Sequence, residues 1–354
     1  MKYIGNWEEI KTHMRGYWDR EVMDRCCVAL MVNDPGFDFD ANGLQNYFNA
    51  ERADAAHRER FAHQAFFGEA IPCLFPYFST AGTAEYTGCR AERTPRTVWF
   101  YPWMDEEEEP DASRISFSHP EAFLRQEEAI AKMVELSRGD YFVTVSDNCG
   151  IVDALAAIRG SENLLMDMYT DPGFVEEGVR RLLPIYKKTQ ERLFDLLKEN
   201  NDGSILSWMH LWAPQRLAQM QCDLSVMISK EMYDRFVMPE LEELCDFLDY
   251  PVYHLDGQEQ IRHLDSLLSI KNLRAIQWQN VAGQPGVTTF IPVLQKIQKA
   301  GKNLVVSADA QDVVKLLDNL SCRGLQLRIG GVKTVEEANE MMALVTKHSR
   351  DHHL

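Results

Sequence analysis

The sequence predicts an α/β fold: a closed (β/α)8 TIM barrel with an N-terminal extension and a long insertion after the second strand. Three observations carry that expectation. Short β-branched or apolar runs alternate with helical patterns, which argues for parallel βα units. Eight such runs can be counted along the chain. No glycine-rich dinucleotide fingerprint follows an early strand, which weighs against the alternative, an open doubly wound sheet. A chain of 354 residues would by length suggest two domains, but barrels exceed that prior as one unit. We therefore read residues 1–354 as a single domain, with the barrel strands between about 26 and 331.

The first half of the chain supplies the runs Cys26 to Val32, Ile71 to Phe78, Tyr141 to Asp147 and Ser204 to Met209. The second half supplies Pro251 to Asp256, Leu273 to Trp278, Asn303 to Asp309 and Leu325 to Gly331. Candidate helices follow these last four, starting near Gln258, Thr289, Ala310 and Thr334. Thr334 with Glu337 makes a capping box ahead of Val335, Ala338, Met342 and Val345 at helical spacing. Three segments break the rhythm: a helix from Ala50 to Phe67, an insertion at 79–115 that contains the acid run Asp105 to Glu109, and an extended link at 210–229 leading to a helix from about Lys230 to Leu248. Insertions after strands lie at the mouth of a barrel and build walls or lids; the acid run reads as a solvated loop.

Composition excludes some classes. Lys plus Arg number 37 against 54 Asp plus Glu, a net charge of -17 that repels nucleic-acid backbones and anionic lipid. The N-terminus has no apolar signal region, and no apolar run approaches a bilayer span. Eight cysteines without a CxxC pair do not form a disulfide framework, so a reducing cytoplasm is expected.

In a barrel the chemistry sits at the C-terminal strand ends. Those ends carry Asn33, Asp34, Asp147, Asn148, Cys149, Trp208, His210, Trp212, His254, Asp256, Gln277, Trp278, Gln279, Asp309 and Arg328. The sharpest feature is His254-Leu255-Asp256, whose imidazole and carboxylate share one face of a strand. Such a pair can hold a divalent metal, orient a proton-transferring histidine or bind a polar substrate; a structural hydrogen-bonded pair is the plain alternative. We take His254, Asp256 and Asp147 as candidate catalytic groups. Trp208, Trp212, Gln277, Trp278 and Asp309 are candidate walls and polar contacts, and Arg328 a fork for a carboxylate or phosphate. Zinc on His254 and Asp256 is one option, although neither Cys149, Cys222 nor Asp309 has a spacing that demands it. Cys222-Asp223 in the link is placed to reach the site, Cys26 and Cys27 read as core, and Cys322 as lying at the opposite end. His13, His57, His63, His119, His263, His348, His352 and His353 read as surface positions.

The stretch QCDLSVMISKEMYDRFVMPELEELCDFLDYPVYHLDGQEQIRHLDSLLSIKNLRAIQWQNVAGQP resembles the uroporphyrinogen-decarboxylase-like superfamily, as do DNCGIVDALAAIRGSENLLMDMYTDP and LRIGGVKTVEEANEMM. That group contains the decarboxylase of haem biosynthesis and cobalamin-dependent methyltransferases, and the resemblance implies a TIM barrel. The decarboxylase's arginine-rich segment is here MVNDPGFDF, its aspartate motif is LFPYFST, and its glycine-histidine-glycine is Ile329-Gly330-Gly331. Uroporphyrinogen is therefore not the expected substrate. The methyltransferases hold zinc by a His-x-Cys pair and a distant cysteine; His254-Leu255-Asp256 falls on the pair with aspartate for cysteine, and the distant cysteine is absent near Gly330. The expectation is a methyltransferase-like enzyme for a small or medium polar substrate, with a corrinoid-carrying partner protein and a homodimer as implied assemblies. A decarboxylase or lyase on another acid, or a non-catalytic ligand-binding or corrinoid-binding protein, are the alternatives.

Overall fold

The computed structural model describes residues 1–38, 48–78, 80–94, 97–105, 109–146 and 148–352. Its strands are β1 (Cys27–Asn33), β2 (Gln64–Gly68), β3 (Cys73–Leu74), β4 (Arg90–Arg93), β5 (Val98–Tyr101), β6 (Phe142–Val143), β7 (Ser204–Leu206), β8 (Leu211–Ala213), β9 (Leu217–Met220), β10 (Tyr250–Asp256), β11 (Ala275–Gln279), β12 (Asn303–Asp309) and β13 (Leu325–Gly330). Seven of them form one sheet in the order β2-β1-β13-β12-β11-β10-β9. All its pairings are parallel except β1 with β2. Crossover helices such as Ile291–Lys299 between β11 and β12 make the layout α/β.

The expected closed ladder of eight strands is not seen among the described residues. β3 and β6 pair with each other, in parallel, outside the seven-stranded sheet. The run from Ser204 to Met209 gives only the short strand β7, which forms an antiparallel hairpin with β8. The chain leaves the strand through a 3-10 turn at Ser207–Met209 and reverses at His210, whose φ is 52°. The place beside β10 is taken instead by β9, from within the expected link.

Other departures are local. The helix expected to Phe67 spans Ala50–Ala62, and the aromatic stretch after it becomes β2. Phe66 and Phe67 favour an extended backbone, and Gly68 (φ 61°) lets the chain turn where a Cβ would lie 2.3 Å from the Val28 carbonyl oxygen. The helix expected from Lys230 to Leu248 is broken at Val237 into Lys230–Phe236 and Met238–Phe247, with Pro239 in the first turn of the second. Thr334 caps Val335–His348 as expected, its Oγ accepting from the Glu337 N–H at 3.1 Å. Glu337 reaches back one residue further than a standard box, to the Lys333 N–H.

Alternation along the strands gives the sheet an inner face with a gradient. Near the N-terminal strand ends it presents Cys27, Val252, Ala275 and Val305. Two residues further along each strand it presents Ala29, His254, Gln277 and Ser307. The apolar end is filled by the helix Trp7–Asp19, which buries Ile10, Met14, Tyr17 and Trp18 against it. Burial of each of these large side chains is worth roughly 1.5–3 kcal/mol. The polar end stays open, so the sequence of the inner face itself separates a floor from a mouth. Seven of the eight cysteines are buried, Cys26 and Cys27 among them. Among the described residues no helix is long and apolar enough to cross a membrane.

The floor helix is tied to the sheet by one carboxylate. Glu69, buried just past β2, accepts from Arg25 through both guanidinium nitrogens at 2.8 Å, from the Val28 N–H at 2.6 Å, and pairs with His13 Nδ1 at 2.7 Å. Burial alone would raise the Glu69 carboxyl, but the bonds from His13 and Arg25 hold it below its ordinary range. The same bond raises His13 above its usual value of 6.5. Glu69 stabilisation fades as pH falls through its lowered value, and His13 stabilisation fades as pH rises past its raised one. Denaturant unfolding of Glu69→Ala should therefore show a loss of about 3–5 kcal/mol, because Arg25 is left buried and unpaired. The loss should be largest between pH 4.5 and 6.5, the ordinary values of the two groups.

Candidate functional site

His254 lies on the inner face of β10, in register with Gln277 on β11. Gln277 is fully buried, and its amide nitrogen donates to the Trp278 carbonyl oxygen at 3.0 Å and to Gln279 Oε1 at 3.1 Å. That fixes its own oxygen towards His254 Nδ1, with which it is hydrogen-bonded. A carbonyl oxygen only accepts, so Nδ1 carries the hydrogen and Nε2 keeps the lone pair of the neutral ring. Nε2 faces Asp256, with Oδ1 at 4.0 Å.

A second acid belongs with this pair. The Asp256 N–H donates to Gln260 Oε1 at 3.0 Å, and Gln260 Nε2 donates to the Cys222 carbonyl oxygen at 3.1 Å, which draws the link after β9 against the end of β10. Asp223 follows Cys222, and Gln221 Nε2 donates to both its carboxylate oxygens at 3.2 Å. Burial raises the Asp223 carboxyl; the imidazole of His254 opposes that rise and Asp256 adds to it. Asp223 is thus within electrostatic reach of both. The adjacency Cys222-Asp223 signals it in the sequence; Cys222 itself is wholly buried.

Behind Asp223 the acids continue inwards. Asp153 accepts from the backbone N–H groups of Asp223 at 2.9 Å and Leu224 at 3.0 Å, and burial with Asp223 nearby pushes its carboxyl up to about 7. Glu240 accepts from the N–H groups of Ile151 and Val152 at the start of the helix Ile151–Arg159, at 3.3 and 2.9 Å. Its burial, with Asp153 adding, raises it well above the ordinary carboxylate range. The helix comes this close because Gly150 has no side chain: a Cβ there would lie 1.9 Å from the Gln221 carbonyl oxygen.

On the other side of His254 stands Trp208, edge-on at 5.1 Å between ring centroids. The same indole lies 6.0 Å from the Arg328 guanidinium carbon. Arg328 Nη1 donates to Ser307 Oγ at 3.1 Å across β13 and β12, where the two residues are in register. Among the described residues Arg328 has no carboxylate within ion-pair distance, and its burial lowers its pKa. His210 is 7% exposed and accepts the Ile71 N–H on Nδ1 at 3.1 Å. Burial and then Arg328 push it down to about 3, so the ring is neutral. Arg328, Ser307 and His210 line a cavity of about 880 Å³ that opens past Asn33, Asp309 and Gly330.

The structure thus gathers His254, Asp256, Gln277, Trp208 and Arg328, and leaves Asp309 exposed at the cavity rim. It does not bring the other tryptophans to the mouth. Trp212 is 1% exposed in the floor, edge-on to Trp7, with its carbonyl oxygen accepting from Trp18 Nε1 at 2.8 Å. Trp278 points to the outer face of β11, fully buried against Phe290 at 4.7 Å, because alternation gives Gln277 the inner position. Asp147 lies outside the described residues. Asp34 pairs with His63 at 3.0 Å, Asn148 donates to Thr83 at 3.3 Å, and Cys149 is buried. A zinc centre takes three or four ligands. His254 and Asp256 supply two, and among the described residues no three His, Cys, Asp or Glu side chains are grouped to hold a metal ion. Three histidines expected at the surface are packed: His13 on Glu69, His57 in its helix, and His263, buried and stacked on Tyr233 at 4.1 Å. His353 lies outside the described residues.

No family model matches the chain, and no curated protein matches it in sequence. Among solved structures it is similar to a methyltransferase from Methanosarcina mazei, with a TM-score of 0.63 and 11% identity over 96% of this chain and 98% of that one. At that identity the likeness shows a shared fold alone.

The raised acid behind the site has a measurable signature. An acid whose folded pKa exceeds its unfolded one loses stability as pH rises between the two, here from the ordinary 3.8 to about 7 for Asp153. In Asp153→Asn the decline of unfolding free energy between pH 4 and pH 7 should be visibly shallower than in the unsubstituted protein. Equal slopes would mean that Asp153 is ionised throughout.

Proposed function

We propose that this chain is a methyltransferase-like enzyme of the uroporphyrinogen-decarboxylase-like kind, acting on a small or medium polar substrate at the mouth of a (β/α)8 barrel. In that arrangement β3 and β6 occupy the arc between β1 and β9. The observation that carries the reading is the fixed tautomer of His254: Gln277 holds Nδ1–H, so Nε2 presents a lone pair to the mouth beside Asp256 and Asp223. The fold shared with a methyltransferase and the resemblance of the 221–285 stretch support methyl transfer as the chemistry.

The acceptor group of the substrate gives its proton to His254 Nε2 as it attacks the methyl carbon, and the two carboxylates stabilise the imidazolium that forms. Trp208 makes one wall and orients the ring by its edge. Gln277 prevents the imidazole from flipping. A corrinoid on a partner protein would supply the methyl group and would keep the electron pair of the broken carbon–cobalt bond. A cavity of about 880 Å³ suits a small substrate, so such a macrocycle would stay on its carrier and only face the mouth. Zinc does not fit the described residues, and no step is assigned to it.

A second reading, decarboxylation of an unknown acid, draws on Arg328, the half-buried cation beside the same tryptophan. The two readings separate in one experiment. With methylcobalamin and a panel of thiol, amine and hydroxyl acceptors, the protein should demethylate the corrinoid in a substrate-dependent way and release no CO₂. His254→Ala should lower kcat by about 10²–10⁴-fold, the usual worth of a positioned acid–base group. Gln277→Leu should lower kcat more than it changes KM. Carbon dioxide release without methyl transfer would replace the first reading with the second.

A further inference from the structure

We propose that Arg328, His210 and Ser307 form a subsite for the carboxylate of the substrate, so that the enzyme acts on a short-chain monocarboxylate carrying its reacting group at the other end. The proposal rests on the site described above being the catalytic one, and adds the chemical class of what it takes.

The first support is the arginine itself. Arg328 lies on the inner face of β13, half-buried, with Ser307 Oγ as its hydrogen-bonding partner and the Trp208 ring beside it. A guanidinium has five N–H donors in a planar fork that matches a carboxylate edge. One of them is spent on Ser307. Among the described residues no acid satisfies the rest, and a buried charge without an anion is costly to maintain.

The second support is independent of charge. His210 accepts the Ile71 N–H on Nδ1, so the proton of its neutral ring sits on Nε2. That nitrogen is a donor with a fixed direction on a residue lining the same cavity as Arg328. The residue is held in a left-handed backbone conformation, φ 52°, which a side chain other than glycine adopts at a cost. Gln326 Nε2 donates to the His210 carbonyl oxygen at 3.1 Å and helps keep it there. A strained, buried, neutral donor beside an arginine is what recognition of an anion requires, and a structural role in the floor would not need the pair.

Charge decides between anions. The cavity lining holds Arg328, Arg60 and Lys333 against Asp309 and Asp312, one positive charge net. Arg60, Lys333 and Asp309 are exposed at the rim, which leaves Arg328 as the inner cation. A monoanionic carboxylate is matched; a phosphate dianion would find no second cation beside it. Because Trp208 contacts both Arg328 and His254, a carboxylate on the first places a short chain across the indole towards the second.

The test is binding to the intact protein, read by titration calorimetry, with the sodium salts of acetate to hexanoate, the alcohols of matching length, and inorganic phosphate. Carboxylates should bind saturably, with the alcohols and phosphate at least tenfold weaker, and Arg328→Gln should weaken the best carboxylate at least tenfold. Equal binding by Arg328→Gln, or phosphate binding tighter than any carboxylate, would overturn the subsite. Should that variant not fold, ¹⁵N-histidine NMR of the unsubstituted protein serves instead. The Nε2–H resonance of His210 should move on adding the carboxylate and stay still with the alcohol; no movement with either overturns the proposal. Neither readout needs turnover. A protein that binds carboxylates and transfers no methyl group keeps the subsite and loses the methyl-transfer reading, and methylation of uncharged acceptors without carboxylate binding does the reverse.

Discussion

Everything at the mouth depends on the buried carboxylate of Glu69. It joins β2 to β1 through the Val28 N–H, and it joins both to the floor helix through Arg25 and His13. A charge so deeply buried survives only with this density of donors, which makes the arrangement all-or-none. With the helix fixed, Ile10, Met14 and Trp18 fill the apolar end of the inner face. Among the described residues the polar end of that face is the one left open, so the proposed chemistry would be confined to one end of the sheet by packing at the other.

The inner face was legible in the sequence where its strands are long. From β10 to β13 the runs and their order agree with the structure, and His254, Gln277 and Arg328 share the inner face. The first half was harder because, after β1, its expected strands β3, β6 and β7 are only two or three residues long. Such strands are specified by what packs over them rather than by their own periodicity. Ser204 to Met209 looks like a strand on composition, yet the turn at His210 depends on a bond to Ile71 more than a hundred positions away. The tryptophans failed for a related reason: counting large aromatics at strand ends does not say which face each occupies. Trp278 is one residue out of phase with the site, and Trp212 is shielded by a helix that lies at the other end of the sequence.

The acids form a layered system. Asp223 is exposed, Asp256 and Asp153 are half-buried, and Glu240 is wholly enclosed. Each buried carboxylate is held by backbone N–H groups rather than by arginine or lysine, Asp153 at the turn after Cys222 and Glu240 at a helix start. Backbone donors position a carboxylate without neutralising it. Burial favours the neutral acid form of Asp153 and Glu240, so the carboxyl groups that act on His254 are those of Asp256 and Asp223. Sequence inspection could name Asp223 through its neighbour Cys222, but Asp153 and Glu240 sit on helices remote in the chain and carry no local mark.

The filled floor has a kinetic corollary. The helix Trp7–Asp19 occupies the far end of the inner face, so among the described residues no passage runs through that end. Under the proposed function spent and fresh molecules would both use the polar end as their doorway. Turnover would then be a queue, in which departure precedes arrival and accumulated product competes with substrate for the same vacancy. A carrier protein seated over the doorway would close the queue in both directions, so its own cycle of docking and leaving would set the rhythm of the enzyme.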